Sequence, residues 1–336
     1  MTKSYKILFL SSTIMGTLIA ISSYSWMSMW IGLEINLLSI IPLLSEQNNL
    51  YPSESALKYF ITQALASAIL LFSVILSLNI SEYPQFPNTF SMMILNSALF
   101  TKMGAAPFHA WFPEVMEGLN WNNSIIMLTW QKIAPMALLM YNPQMTTLLT
   151  SVIIMSTIVS GILGINQISM RKIMAYSSIN HIGWMISSTL NCQSIWLIYF
   201  TTYSIITLNI ILILKSLNVF YLKQLFNSLN SNKPLKFFFI LNFLSLGGLP
   251  PFLGFLPKWM TINNLVQNGF FTLSAFLIIF TLMTLFFYLR ITFSTLMINT
   301  SETLIFQSNK NSFTVMFANM ISLSGLVACT LLFSNL

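Results

Sequence analysis

The chain is 336 residues long, and only 6% of them are charged against 56% hydrophobic, with no aspartate anywhere. That balance excludes a soluble globular domain and any charge-rich enzyme surface. The formal net charge of +7 rests on only 14 Lys and Arg against 7 acids, too few to make a nucleic-acid footprint, so no nucleic-acid partner is expected.

Apolar stretches without any Asp, Glu, Lys or Arg recur along the whole chain, for example 7–33, 59–81, 133–170, 173–214 and 259–289. A helix needs roughly 20 residues to cross about 30 Å of hydrocarbon, and these runs reach or exceed that. A β-barrel would instead alternate lipid-facing and lumen-facing residues, which continuous Leu, Ile, Phe and Met do not. The fold class expected is therefore an all-α polytopic membrane protein of about eleven transmembrane helices. In chain order the spans fall near 6–23, 25–44, 57–78, 90–113, 122–140, 146–167, 173–191, 194–214, 237–266, 270–295 and 313–334. The first span follows the N-terminus without a small-residue cleavage site or an Arg-rich transit pattern, so no removable leader is expected. The loops leave no room for a soluble catalytic domain, and residues 1–336 read as a single membrane domain.

Ionisable residues inside such spans are expensive and mark functional sites by default. Glu34 lies in the middle of the second span, Lys102 in the fourth and Lys132 in the fifth, within Trp130-Gln131-Lys132-Ile133-Ala134-Pro135. His109 follows Lys102 by seven positions, His181 sits in the seventh span, and Lys258 in the ninth. Glu114 and Glu117 read as solvated residues at a helix mouth. One mid-membrane acid with several bases argues for proton handling, because a sodium or calcium site needs several oxygen ligands converging on one point. A buried lysine tends to release its proton and a nearby carboxylate tends to hold it, so alternating neighbours form a relay. Glu34 and Lys102 are expected to pair, and either histidine could bridge lysines through water. Cys192 and Cys329 form no CxxC or zinc spacing and read as small packed side chains; no metal or nucleotide motif is present.

Two segments break the apolar pattern in the same way. Gly104-Ala105-Ala106-Pro107-Phe108-His109-Ala110-Trp111-Phe112-Pro113 and Gly248-Leu249-Pro250-Pro251-Phe252-Leu253-Gly254-Phe255-Leu256-Pro257 carry Gly, Pro, Phe, an aromatic and Pro at identical offsets. Paired interrupted spans point to a transporter built from repeated halves, with its pathway where the helices break. The approximate halves are 57–191 and 194–334. Pro107 and Pro251 each remove a backbone donor, which should leave the carbonyls of Met103 and Gly247 free for water or an ion. When the two segments are superposed, Lys102 falls opposite Leu246 and Lys258 opposite Glu114, so the halves share the break but not the charge position.

With eleven spans, the side that carries the N-terminus also collects Lys3, Lys6, Arg171, Lys172, Lys215, Lys223, Lys233, Lys236 and Lys310. By the positive-inside rule that side faces a cytoplasm or matrix, and the C-terminus faces the opposite compartment. Contact with acidic lipid is a milder consequence of the same charge.

Five blocks together carry a resemblance over essentially the whole length: Gly32-Leu33-Glu34-Ile35-Asn36, Lys102 through His109, Trp130 through Pro135, Ser177 through Trp184, and Leu246 through Trp259. In them the chain resembles the antiporter-like membrane subunits of respiratory complex I, specifically the animal mitochondrial NADH–ubiquinone oxidoreductase chain 2 family. The resemblance implies inverted repeats with two discontinuous helices and a place in the membrane arm of a proton-pumping NADH:ubiquinone oxidoreductase of the mitochondrial inner membrane. It implies no redox cofactor in this chain, with NAD, FMN, iron–sulfur clusters and ubiquinone handled by other subunits. It implies partners among the other membrane-arm subunits, further antiporter-like ones included, and inner-membrane lipids such as cardiolipin. By the same resemblance the acid matching Glu34 pairs with the lysine matching Lys102, Lys132 is the central relay and Lys258 the terminal lysine, with His109, His181, Pro107 and Pro251 in support. The family lacks the first three spans of its bacterial relatives, which agrees with an N-terminus on the matrix side. The rival reading is a free-standing cation/proton antiporter.

Overall fold

The computed structural model describes residues 4–46, 49–82, 88–142, 145–230, 233–297 and 319–320. Among the described residues the regular structure is helical, joined by short turns, with one isolated antiparallel bridge between Ser169 and Tyr221. The helices are α1 (Ser4–Ser22), α2 (Trp26–Leu44), α3 (Leu50–Glu82), α4 (Asn88–Met103), α5 (Trp111–Gly118), α6 (Trp121–Leu128), α7 (Ile133–Met140), α8 (Thr146–Ile165), α9 (Met170–Thr189), α10 (Gln193–Ser216), α11 (Leu222–Asn230), α12 (Lys233–Gly247), α13 (Phe255–Gln267) and α14 (Phe271–Met297). The eleventh expected span, 313–334, lies outside the described residues except for 319 and 320.

Six of these helices, α1, α2, α3, α8, α10 and α14, are long and apolar enough to cross a membrane unaided. The difference from the expected spans has three physical sources. Spans 90–113 and 237–266 are each two shorter helices separated by a break, α4 with α5 and α12 with α13. Span 122–140, expected as one helix, is broken as well: α6 ends at Leu128, a 3-10 turn covers Trp130–Lys132, and α7 begins at Ile133. Finally, α9 is long enough at 20 residues but too polar to qualify, and it survives because Ile173 through Thr189 are all buried within protein. The loop expected at 215–236 contains α11, whose Leu225 and Leu229 are buried.

Contacts divide the chain into two compact units, Met1–Val152 and Ile153–Leu336. This is a division by packing, whereas the halves 57–191 and 194–334 were expected from the repeated sequence pattern. In the first unit α1 packs along α2, α2 on α3, α3 on α4 and α5, and α7 against α1 and α4. The α1–α2 crossing depends on glycine: a Cβ on Gly32 would lie 2.6 Å from the Ala20 nitrogen, and one on Gly16 2.8 Å from the Asn36 nitrogen. Small residues allow such backbone approach, which is how helices gain packing energy where lipid offers no hydrophobic contrast. In the second unit α9 and α10 pair, α13 packs on α9, α10 and α14, and α12 lies against α10 and α14.

Helix α14 shows one-sided burial along its length. Leu277, Thr284, Phe287, Tyr288 and Ile291 face the core, while Ile279, Leu282, Phe286 and Phe293 are exposed on the opposite stripe, the 3.6-residue period of a helix with one face packed and one turned outward to an apolar medium. Several serine hydroxyls within the helices bond locally. Ser73, Ser124 and Ser177 donate to the carbonyls of Leu70, Trp121 and Met174 at 2.6, 2.7 and 2.8 Å, so they carry no unsatisfied donor into the apolar phase.

Candidate functional site: two helix interruptions and their buried lysines

Each interruption begins with the same C-terminal cap. At the end of α4, Gly104 adopts φ +74° and the Ala105 amide donates to the Phe100 carbonyl at 3.1 Å. At the end of α12, Gly248 adopts φ +77° and the Leu249 amide donates to the Leu244 carbonyl at 3.3 Å. This is the Schellman arrangement, in which a residue in the left-handed region lets the chain turn back on the last helical carbonyls. Glycine is required because a side chain there is strained. Both segments then contain a cis proline, Pro107 in one and Pro251 in the other.

In the first unit, Lys102 sits in the last turn of α4 and is 8% exposed. It lines a cavity of about 10 Å³ with Leu33, Asn36, Tyr59, Gln63, Gln131 and Pro135. The expected partner Glu34 projects from α2, where its Oε1 is buried without a hydrogen-bond partner. The Glu34 charge acts on Lys102, although the two do not approach within the 4.0 Å of a direct ion pair. Beside them an amide pair closes on itself: Asn36 Nδ2 donates to Gln131 Oε1 at 3.1 Å, and Gln131 Nε2 donates to Asn36 Oδ1 at 2.9 Å. The Tyr59 hydroxyl also donates to Gln131 Oε1, at 3.3 Å. The 3-10 turn is what separates neighbours in sequence. It directs Gln131 to this cavity, while Lys132, 2% exposed, places its ammonium 5.9 Å from the centre of the Phe112 ring.

His109 is not drawn into this cluster. It is half-exposed within its own loop, with Nδ1 3.2 Å from the Pro107 carbonyl oxygen. Glu114 lies at the periphery, as expected of a residue at a helix mouth, and Lys58 bridges it to Glu54 at 3.2 and 3.1 Å. The carbonyl expected to be left free by Pro107 was that of Met103, but the donor in this break arrives two residues earlier: the Trp111 indole donates to the Thr101 carbonyl at 3.0 Å.

In the second unit, Lys258 lies in the first turn of α13 and is 7% exposed. Its ammonium donates to the Gly247 carbonyl at 2.8 Å, the carbonyl that Pro251 cannot engage. It also stands 5.7 Å from the centre of the Trp184 ring on α9, within range of a cation–π contact. No carboxylate among the described residues forms an ion pair with it. Gly248 is packed onto the same side chain, since a Cβ there would fall 2.7 Å from Lys258 Cδ and 3.0 Å from Nζ.

His181 belongs to an adjoining polar cluster. Its Nδ1 lies 2.9 Å from the Tyr199 hydroxyl, and the Tyr203 ring centre is 5.0 Å from its own. With Thr202, Ser245, Gly254 and Pro257 these side chains line a second cavity of about 10 Å³. The sequence reading singled out the ionisable residues and missed Asn36, Tyr59, Gln63, Gln131, Trp184, Tyr199 and Tyr203. For Asn36 and Gln131 a signal existed, an amide set among apolar neighbours; for the aromatic residues there was none, because Tyr and Trp in membrane helices also serve as interfacial anchors.

The family profile described as "NADH:quinone oxidoreductase/Mrp antiporter, TM" matches residues 23–284. NADH-ubiquinone oxidoreductase chain 2 of Anopheles gambiae is 46% identical over 337 residues, covering 97% of this chain and 97% of its own length. The protein of the same name from Aedes aegypti is 48% identical over 332 residues, with the same coverage of both. Among solved structures, a chain of respiratory complex I from Thermus thermophilus with bound aureothin superposes with a TM-score of 0.87 at 22% identity, covering 99% of this chain and 79% of that one. A chain of the Mrp complex from a Dietzia species gives a TM-score of 0.78 at 14% identity, covering 96% and 75%. At these identities the two structures speak for the fold.

Proposed function

We propose, from the premise that this chain belongs to the NADH-ubiquinone oxidoreductase chain 2 family, that it is a proton-translocating subunit in the membrane arm of complex I. In this reading it resides in the mitochondrial inner membrane among other membrane-arm subunits and lipids such as cardiolipin. NAD, FMN, iron–sulfur clusters and ubiquinone are handled by other subunits, and Glu34, Lys102, Lys132 and Lys258 exchange protons in step with electron transfer.

The observation that supports it best is the way Lys258 is held. A lysine locked to a carboxylate cannot lose its proton without leaving a buried negative charge, which is strongly unfavourable. Lys258 is held by a carbonyl and an indole face, both neutral, so its site tolerates the amine with or without the extra proton. That is what a proton carrier requires. Lys102 differs in kind, because a distinct acid, Glu34, acts on it from another helix, and any change in that acid alters how firmly the lysine keeps its proton. The gathering of basic residues on one side, on which the matrix orientation of the N-terminus rests, is supported within the second unit by the bridge that joins the start of α9, with Arg171 and Lys172, to the Lys-bearing segment around Tyr221.

The test is the rate of proton movement and of NADH oxidation by the assembled complex in liposomes. Lys258→Met, which keeps length and removes charge, is expected to lower proton movement and NADH oxidation together while assembly is retained. Unchanged rates of both NADH oxidation and proton movement in Lys258→Met and Lys102→Met complexes would make these lysines structural. Cation/proton exchange by the purified chain alone would move the assignment to a free-standing antiporter.

A further inference from the structure

We infer that Trp184 is a positioning residue for Lys258 that holds the amine in both of its protonation states, the ring face serving the ammonium and the indole N–H serving the neutral amine. The inference rests on the reading of Lys258 as a proton carrier. Two observations carry it, and they concern different parts of one side chain. The Lys258 ammonium stands 5.7 Å from the centre of the Trp184 ring, within reach of an electron-rich face that attracts a cation and has no such attraction for a neutral amine. Trp184 is also only 1% exposed, and its indole nitrogen has no hydrogen-bond partner among the described residues. Buried indole N–H groups ordinarily find an acceptor. A residue that only filled space here could be phenylalanine, which has no donor to leave unpaired.

The missing acceptor comes into being when Lys258 loses its proton. An ammonium has three N–H donors and no lone pair; the neutral amine keeps two N–H bonds and gains one lone pair, an acceptor beside an unused donor. One of its N–H bonds stays on the Gly247 carbonyl, which the ammonium meets at 2.8 Å, while the flexible four-carbon stem turns the lone pair toward the indole N–H. The surroundings fix the indole rather than the lysine. Gly183, the residue before Trp184, lets α9 press on α8, where a Cβ would run into the Ser156 hydroxyl and lie 3.2 Å from Thr157 Cγ2. The other titratable groups on the helices packed around α13 are His181 on α9, Tyr199 and Tyr203 on α10, and Tyr288 on α14, whose ring lies against Gly247. Tyr199 pairs with His181, and Tyr203 hydrogen-bonds Ser178, which leaves the Trp184 donor nearest to hand for the new lone pair. Trp184 keeps its own hydrogen throughout and never carries the proton.

The experiment joins maps of the intact complex at acid and at alkaline pH with pH profiles of NADH-driven proton movement. At acid pH the Lys258 nitrogen is expected over the Trp184 ring and on the Gly247 carbonyl; at alkaline pH it is expected within hydrogen-bonding distance of Trp184 Nε1. An amine that keeps one position at both pH values, or that turns to Tyr288 or to a water instead, overturns the inference. Trp184→Phe keeps a ring face and deletes the donor, so only the neutral amine loses a contact, and the acid flank of the profile, where release of the proton limits turnover, should move to higher pH by about 0.5–1 unit. Trp184→Leu takes a contact from both states, so it should move that flank less and lower the maximal rate more. A purely structural role predicts rates that follow the melting temperature of each complex on an unmoved profile, and that outcome rejects the proposal. If Lys258→Met halts proton movement while Trp184→Phe leaves the profile in place, only the role of Trp184 falls; if Lys258→Met moves protons normally, the carrier reading itself falls.

Discussion

The two interruptions share a backbone and differ in what satisfies it. Gly104 and Gly248 have nearly the same positive φ, and each cap makes the same backbone bond five residues back. At the first break the Thr101 carbonyl, which also accepts the Gly104 amide at 3.2 Å, takes a neutral donor from Trp111. At the second, the carbonyl of Gly247 takes the ammonium of Lys258. One frame therefore serves a fixed joint in one unit and a titratable group in the other. The lesson is that a helix break supplies acceptors but does not choose the chemistry; the side chain that reaches the acceptor does. The first unit places its lysine before the cap, at Lys102, with an acid acting from α2, and so keeps charge and joint separate.

Breaking the comparison at its most sensitive point means removing the donor from each carbonyl. Lys258→Met is expected to lower coupled NADH oxidation roughly 10²-fold, the scale on which a positioned proton-transfer group acts. Trp111→Phe, which deletes one neutral hydrogen bond, should cost about 1 kcal/mol of stability and keep proton stoichiometry. Equal losses in the two variants, read from oxidation rate and proton counting, would erase the distinction drawn between the breaks.

The glycines sharpen it further. Gly104→Ala and Gly248→Ala each place a side chain in the left-handed region, at about 1–2 kcal/mol, so both complexes should lose thermal stability by similar amounts. Only at Gly248 does the new Cβ meet the lysine, 2.7 Å from Lys258 Cδ, whereas at Gly104 it meets the Phe112 Cβ at 3.2 Å. Turnover should fall further in Gly248→Ala than its loss of stability explains, and in Gly104→Ala it should follow stability alone.

A smaller effect is expected from Glu34→Gln, which removes the charge acting on Lys102 without disturbing any direct ion pair; turnover should slow by several-fold and assembly should not change. The smallest belongs to the periphery. Lys58 bridges Glu54 and Glu114 at an exposed position, and Lys58→Met should leave both melting temperature and turnover unaltered, because exposed ion pairs contribute little.

The sequence by itself determined that this is a helical membrane protein, that two spans are interrupted at matched Gly and Pro positions, and which ionisable residues lie within the apolar phase. These follow from local physics: apolar run length, proline's missing donor, and the cost of charge in hydrocarbon each act at single positions. It could not show that 122–140 is broken at Lys132, because Trp130-Gln131-Lys132 contains no glycine and its proline, Pro135, comes only after the 3-10 turn. Nor could it show that α9, the most polar of the long helices, is enclosed from Ile173 to Thr189. Tertiary structure alone decided that Gln131 and Lys132, adjacent in the chain, face a polar cavity and an aromatic ring respectively, that Gly247 receives Lys258, and that His109 stays in its own loop. Those outcomes depend on which helix faces meet, and a helix face is defined by its neighbours in space, which no local pattern encodes.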